Sequence, residues 1–390
     1  MPSLRITPAY FERPIDRRSG DSVKWNKYDG QDIIPLWVAD MDFAAPEAVL
    51  KTLQRRIEHG VLGYAAPWPS LIDAVLAHLK DQYDWQIDPE WLVWLPGVVT
   101  GLSLACRAVD GDVIMATPVY PPFLSAPGEA GKKCIAVALR QNDGRWEWDF
   151  AAMEAALTPN TRLLLLCHPH NPVGRAWSVA EQRELATFCL RHQLYVCSDE
   201  IHCDLVLKEG HRHQPTALDA ELARRCITLM APSKTYNIAG LGCAFAVISE
   251  PSLRRRFLDA MRGIVPGVNV LGFVAAEAAY REGEAWRTTL IEVLRTNSQR
   301  VHSAVSAMPG LEMGVVEATY LAWIDARKLA AWGIGNSVHF FEKAGVGLSD
   351  GVDFGAPGWL RLNFGCPRDT LEEALQRMHK ACRAAQAAAA

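Results

Sequence analysis

Lys234 sits between a Pro-Ser turn and an Asn/Gly-rich segment, in Met230-Ala231-Pro232-Ser233-Lys234-Thr235-Tyr236-Asn237-Ile238-Ala239-Gly240-Leu241. The run before it, Cys226 to Met230, is apolar and reads as a buried strand ending in a turn. A lysine at such a place is costly to keep charged. Burial lowers its pKa, and a neutral amine can form a Schiff base with an aldehyde. Most lysines are solvated surface groups, so the Ser-Lys pair alone does not decide the matter. Two stretches upstream add weight. Leu194 to Ser198 reads as another strand with Asp199 at its carboxyl end, where open α/β sheets place their ligands. A buried carboxylate there needs a cationic partner. Asn171-Pro172-Val173-Gly174 follows Leu163 to Cys167, the most apolar run in the chain.

These groups need elements to position them. Ile33 to Phe43 is an apolar segment ending on acids, Asp40 and Asp42, beside Ala39. The pattern predicts helices over Pro46 to His59, closed by Gly60, and over Ser70 to Tyr83 with a serine cap. Trp91 to Leu95 reads as a strand. A glycine turn, Pro96 to Ser103, then leads into a helix from Leu104 to Val109. A strand, a glycine turn and a helix N-terminus place unpaired backbone N–H groups, those of Val98 and Val99, where a phosphate can sit. Strands follow at Val113 to Ala116 and Ile135 to Leu139. Between them, Tyr120 in Pro118 to Phe123 puts an aromatic ring at a strand end, placed to stack on a flat ligand ring. Asn142 to Arg145 reads as a hairpin turn, and Asp149 to Leu157 as a helix. Ser178 and Glu181 form a capping-box pattern for a helix reaching about His192. His211 and His213 read as solvated loop residues. Phe273 to Val305 is helical with a break near Gly283, and Thr319 to Ile324 and Trp359 to Phe364 read as strands. Alternating strands and helices, then a smaller C-terminal part, imply an α/β fold with a large doubly wound sheet and a second, smaller α/β domain. The divisions expected are 1–45, packing with the small domain, 46–280 for the large domain and 281–390 for the small one.

With 390 residues, 49% hydrophobic and 22% charged, the chain can bury two cores. A net charge of -4 gives no polybasic case for nucleic acid or an anionic membrane. No run of apolar residues is long enough to suggest a membrane span, and the first residues lack the apolar core of a signal peptide, so a cytoplasmic location is expected. The 10 cysteines are scattered singly, which argues for reduced thiols rather than a disulfide framework. His168 and His170 are spaced by one residue, but no nearby Cys/Asp set completes a metal site.

The Asn171 to Gly174 stretch, the Ser198 to His202 stretch and Lys234, in this order along the chain, resemble the fold type I enzymes that use pyridoxal 5′-phosphate (PLP), the class I/II aminotransferase-like group. The sequence is most similar to its branch of cystathionine β-lyases and cysteine-S-conjugate β-lyases, from about Trp37 to about Arg368. The resemblance implies that Lys234 carries PLP, that Asp199 pairs with the protonated pyridine nitrogen, and that Tyr120 stacks on the ring. It implies that Asn171 bonds the phenolic oxygen and that Arg361, in Arg361-Leu362-Asn363, grips the substrate α-carboxylate as a bidentate fork. Val98 and Val99 would hold the phosphate through their backbone. Tyr64, after Gly63, would reach the cofactor of a second subunit in a homodimer. Ala39 and Asp40 would neighbour the substrate.

The sequence departs from the common pattern in three places. His202 stands where many aminotransferases have tyrosine, as is usual in the β-lyase branch, and is left near the ring. Gly242 and Ala231 stand where an arginine and a serine often bind the phosphate, so Ser233 is the substitute ligand. The expected reaction is β-elimination of a thiol from cystathionine or another cysteine S-conjugate, giving pyruvate and ammonia. The alternatives are an aminotransferase using the same residues and a regulatory protein acting through protein–protein contact.

Overall fold

The apolar run Leu163 to Cys167 lies inside a seven-stranded sheet in the computed structural model, which describes residues 6–18 and 20–389. Its neighbours, Tyr195–Asp199 and Asp112–Thr117, run parallel to it, and side chains 163–167 are all buried. A strand covered on both faces must be apolar throughout, which is why this stretch shows no alternation. Across the sheet the order is Leu92–Leu95, Ala244–Val247, Cys226–Met230, Tyr195–Asp199, Thr161–Cys167, Asp112–Thr117 and Cys134–Ala138. Ala244–Val247 runs antiparallel to both of its neighbours, Leu92–Leu95 and Cys226–Met230. In register, Cys167 pairs with Asp199 and Asp199 with Leu229. The segments that follow these strands therefore leave the sheet along one edge.

Several local expectations are corrected. The helix before Asp112 spans Val98–Ala108 and starts directly after Gly97, not at Leu104. Gly101 is an interior helix residue rather than a turn. A Cβ there would lie 2.7 Å from Leu229 Cδ2, so the glycine lets the helix seat on the sheet. The next helix upstream is Pro69–Tyr83, with Trp68 at its cap and Pro69 in the first turn, so Ser70 is already inside it. The Arg140–Asn142/Arg145–Glu147 hairpin and the Ser178–Glu181 capping box are present.

A second sheet is antiparallel, in the order Glu312–Met313, Leu321–Asp325, Trp359–Asn363 and Ser349–Asp350. It packs with helices Glu284–Ser306 and Arg368–Ala389 around a core that includes Trp286, Leu290, Leu321, Phe364 and Met378. The N-terminal residues Phe11, Leu36, Met41 and Phe43 belong to that same core. Ile34–Pro35 pairs in parallel with Val346–Gly347. Among the described residues no helix is long and apolar enough to cross a membrane.

The N-terminal segment carries an internal ion network. Lys24 is fully buried, with Nζ 2.6 Å from Asp42 Oδ2 and 2.9 Å from the Asp40 carbonyl. Arg17 bonds Asp42 at 2.8 Å and Asp40 at 2.6 Å. Removing one member of a buried pair leaves the other charge uncompensated. Lys24→Met should therefore lower stability by about 3 kcal/mol. Urea unfolding measures this, and a loss below about 1 kcal/mol would show the pair to be energetically neutral.

Candidate active site

Four strand ends on one sheet edge supply the chemistry-bearing groups. Lys234 lies in the turn after Cys226–Met230, which is fixed by Tyr236 N–H to Pro232 O at 2.9 Å and Ile238 N–H to Ser233 O at 3.0 Å. Its Nζ donates to the Ala39 carbonyl at 2.6 Å. Burial, and then the nearby Arg361 charge, push the ammonium pKa down to about 8, against the opposing pull of Asp40 and Asp199. The amine is thus available neutral far below the range of a solvated lysine.

Asp199 ends its strand, buried, and accepts from the Ile201 N–H at 3.1 Å. Burial pushes its pKa up to about 7. Glu200 adds to the rise, while the Ile201 N–H and Lys234 oppose it. Arg361 lies on the middle strand pair of the small sheet and is also buried. Its Nη1 donates to Asn171 Oδ1 at 3.1 Å, and its Nη2 donates to the Trp37 carbonyl at 3.0 Å and to Ser349 Oγ at 3.4 Å. The guanidinium stacks over Phe354 at 4.6 Å, and Nε has no partner among the described residues. Burial lowers its pKa to about 10. Among the described residues, Asp199 has no cation and Arg361 no carboxylate within ion-pair distance.

Tyr120 caps helix Pro121–Glu129. The pKa of its phenol is raised by burial and by the Asp199 charge, against Arg361. His202 is buried, its Nδ1 unpartnered and its ring edge-on to Tyr320 at 5.8 Å. Burial, with Lys234 and Arg361, pushes its pKa down to about 3, so it is neutral. Val98 and Val99 open the eleven-residue helix Val98–Ala108, Val98 buried and Val99 exposed. Ser233 is half-buried, one residue from Lys234. Gly242 has φ 58°, and a Cβ there would meet the Pro96 carbonyl at 3.1 Å. That left-handed turn is a physical reason for glycine here in place of an arginine. Tyr64 is fully exposed beside Val61 and Leu62, and its own chain does not bring it to these groups.

Ala39 and Asp40, expected beside the substrate, belong to a ribbon whose anchoring the sequence did not reveal. From Trp37 to Phe43 almost every carbonyl is held by a side chain. Arg361 and Ser349 take Trp37, and Lys234 and Tyr320 take Ala39. Asn363 takes Val38 and, with Lys24, Asp40. Asn237 takes Met41, shared with Arg17, and also Phe43. Asn363 had a signal in the Arg-Leu-Asn pattern. Tyr320, Ser349, Arg17 and Lys24 had none.

His213 is not solvated. It is buried, with Nε2 2.6 Å from Glu200 Oε2, and stacks on His168 at 4.4 Å. Glu200 also accepts from Ser198 Oγ and the Thr216 N–H, so this second network braces the turn that carries Asp199. His168 and His170 bond the Gln214 and Pro118 carbonyls.

A flat cationic heteroaromatic with a phosphate and an aldehyde fits this constellation. Asp199 lacks a cation, Lys234 offers a neutral amine, Tyr120 offers a ring, and a helix N-terminus offers N–H groups. The fold and site are those of one class of enzyme. A family model for aminotransferase class I and II matches residues 31–378, and the chain belongs to that family. Within it, the chain is 37% identical over 387 residues to cystathionine beta-lyase PatB of Bacillus subtilis (strain 168), covering 95% of this chain and 99% of that protein. The crystal structure of OvoB is similar with a TM-score of 0.93 and 48% identity, over 95% of this chain and 98% of that one. Cystalysin from Treponema denticola, whose structure contains a pyridoxal 5′-phosphate cofactor, gives a TM-score of 0.89 and 33% identity, over 96% and 98%.

Proposed function

We propose that the chain is a PLP-dependent carbon–sulfur β-lyase, cleaving cystathionine or another cysteine S-conjugate to a thiol, pyruvate and ammonia. The observation that carries this reading is the meeting of Lys234 and Asp199, at one edge of the large sheet, with Arg361 of the small sheet, the last two each buried without an opposite charge among the described residues. Bound PLP supplies a sink for the electron pair left on the substrate Cα. Asp199 keeps the ring nitrogen protonated, and Asn171 and Tyr120 hold the ring in place. Val98, Val99 and Ser233 bind the phosphate. Arg361 fixes the substrate α-carboxylate, which orients the Cα–H bond toward Lys234 Nζ. Lys234 takes that proton as general base. The Cβ–S bond then breaks with its electron pair on sulfur, and the carbon fragment ends as pyruvate and ammonia with the uptake of one water.

The names of the related proteins support the lyase over transamination. The test is pyruvate release from L-cystathionine with no keto acid added. Turnover that requires a keto acid would move the assignment to an aminotransferase. A Lys234→Ala variant that kept a cellular phenotype would favour the regulatory reading. Arg361→Lys should raise KM about 30-fold with kcat changed far less, because lysine cannot form the two-pronged contact. Steady-state kinetics distinguish this from a fall in kcat alone, which would contradict a binding role.

The same reading makes the enzyme a homodimer with Tyr64 of each subunit completing the other's site, supported by the exposure of Val61, Leu62 and Tyr64. It places the N-terminal residues 1–45 with the small domain, 281–390, against the large domain, 46–280. Ten unpaired cysteines suit the reducing cytoplasm.

A further inference from the structure

The Arg17–Asp40 pair lies at the site but has no part in the chemistry above. Asp40 follows Ala39, whose carbonyl is 2.6 Å from Lys234 Nζ and 3.1 Å from the Tyr320 hydroxyl. The Asp40 charge acts on both of those groups, raising each pKa. Unlike its neighbour Asp42, whose side chain is 6% exposed, Asp40 keeps 34% of its side chain open, and Arg17 keeps 23%. Arg17 Nη2 meets Asp40 Oδ2 at 2.6 Å, and Arg17 Nη1 meets Asp42 Oδ1 at 2.8 Å. Among the described residues, Asp40 Oδ1 and Arg17 Nε make no hydrogen bond, which leaves the pair with one anionic acceptor and one cationic donor unused. With Lys24, the cluster of two cations and two carboxylates is electrically balanced. A ligand group carrying a single charge would upset that balance. A group carrying an ammonium and a carboxylate together would not.

We propose that Arg17 and Asp40 form the receptor for the far end of the substrate, beyond sulfur, and select a zwitterionic end, its ammonium on Asp40 and its carboxylate on Arg17. This rests on the lyase reading and adds to it the residues that set which S-linked group is accepted. Neither residue touches the reacting atoms; both determine specificity. Arg361 takes the α-carboxylate, so the two ends of the substrate are read by two separate arginines.

The test uses holoenzyme and three substrates: L-cystathionine, S-(2-aminoethyl)-L-cysteine and S-methyl-L-cysteine. The readout is the ratio of kcat/KM for each charged substrate to that for S-methyl-L-cysteine. Asp40→Asn should lower the ratio about tenfold or more for both charged substrates, the cost of one charge-assisted hydrogen bond. Arg17→Gln should lower it comparably for cystathionine and leave it within about threefold for the aminoethyl compound. A merely structural role for the pair would lower all three activities together and leave the ratios unchanged, and that result overturns the proposal. Dissociation constants for the same substrates, from their effect on cofactor absorption, give a second set of ratios. If the wild-type protein binds all three but releases no pyruvate, the lyase reading fails, and these binding ratios decide on the receptor.

Discussion

Replacing Lys234 with alanine is expected to cut pyruvate release by at least about 1,000-fold. In the proposed mechanism one side chain serves both as the amine that carries the cofactor and as the base that takes the Cα proton, so both roles are lost together. The visible absorption of the bound cofactor should disappear or move, while the fold persists, because among the described residues the lysine's one polar contact is the Ala39 carbonyl, which Tyr320 also holds. An added primary amine should restore part of the activity if the proton transfer is what was lost. A variant with more than a tenth of wild-type activity would remove Lys234 from the mechanism. The wild-type apoprotein offers a companion measurement. With a pKa near 8, the fraction of neutral amine rises about tenfold per pH unit below 8 and levels off above it. The rate of cofactor uptake should follow that curve. A rate that climbs unbroken to pH 10 would describe an ordinary solvated lysine.

Asp199→Asn should have opposite effects on activity and on stability. Asparagine has the same shape but cannot hold a proton on a ring nitrogen, so kcat should fall about 1,000-fold. Apoprotein stability should move the other way. The carboxyl pKa is raised from its ordinary value near 3.9 to about 7, because burial disfavours the anion. The folded state therefore keeps its proton where the unfolded state has lost it. The contribution is fully present below the ordinary value, declines as pH rises and is gone above about 7. At pH 8 the asparagine apoprotein should be more stable than the wild type by about 2 kcal/mol, measured by urea unfolding. A less stable variant would mean that the anion is solvated or paired within the chain.

The strand ends were legible because a buried strand announces itself by apolar content and its end by the first polar residues that follow. Lys234, Asp199 and Asn171 stand at such ends, and Arg361 lies within a strand in the Arg-Leu-Asn pattern. For the ribbon from Trp37 to Phe43 the sequence suggested a place beside the substrate but not how it is held, since it is held through its carbonyls and any residue type carries one. Gly101 misled for a related reason. A glycine that removes a Cβ for close helix packing looks in sequence like a glycine that makes a turn. His213 misled because Lys208 to Arg212 is polar, and nothing local shows that the next histidine turns inward to Glu200. Tyr64 lies fully exposed, and a single chain offers it no partner.

The ribbon also bears on the order of events during synthesis. Its holders come from far along the chain. Asn363 bonds the Val38 carbonyl across 325 residues, and Arg361 bonds Trp37 across 324. The strands that bear Lys234, Asp199 and Asn171 are complete once residue 247 has emerged from the ribosome. The N-terminal segment must wait, without its sheet partner, until Val346–Gly347 and Asn363 follow. The part of the molecule that accepts a cofactor can thus form well before the part that recognises a substrate. A prematurely terminated chain would then hold Lys234 and lack Arg361.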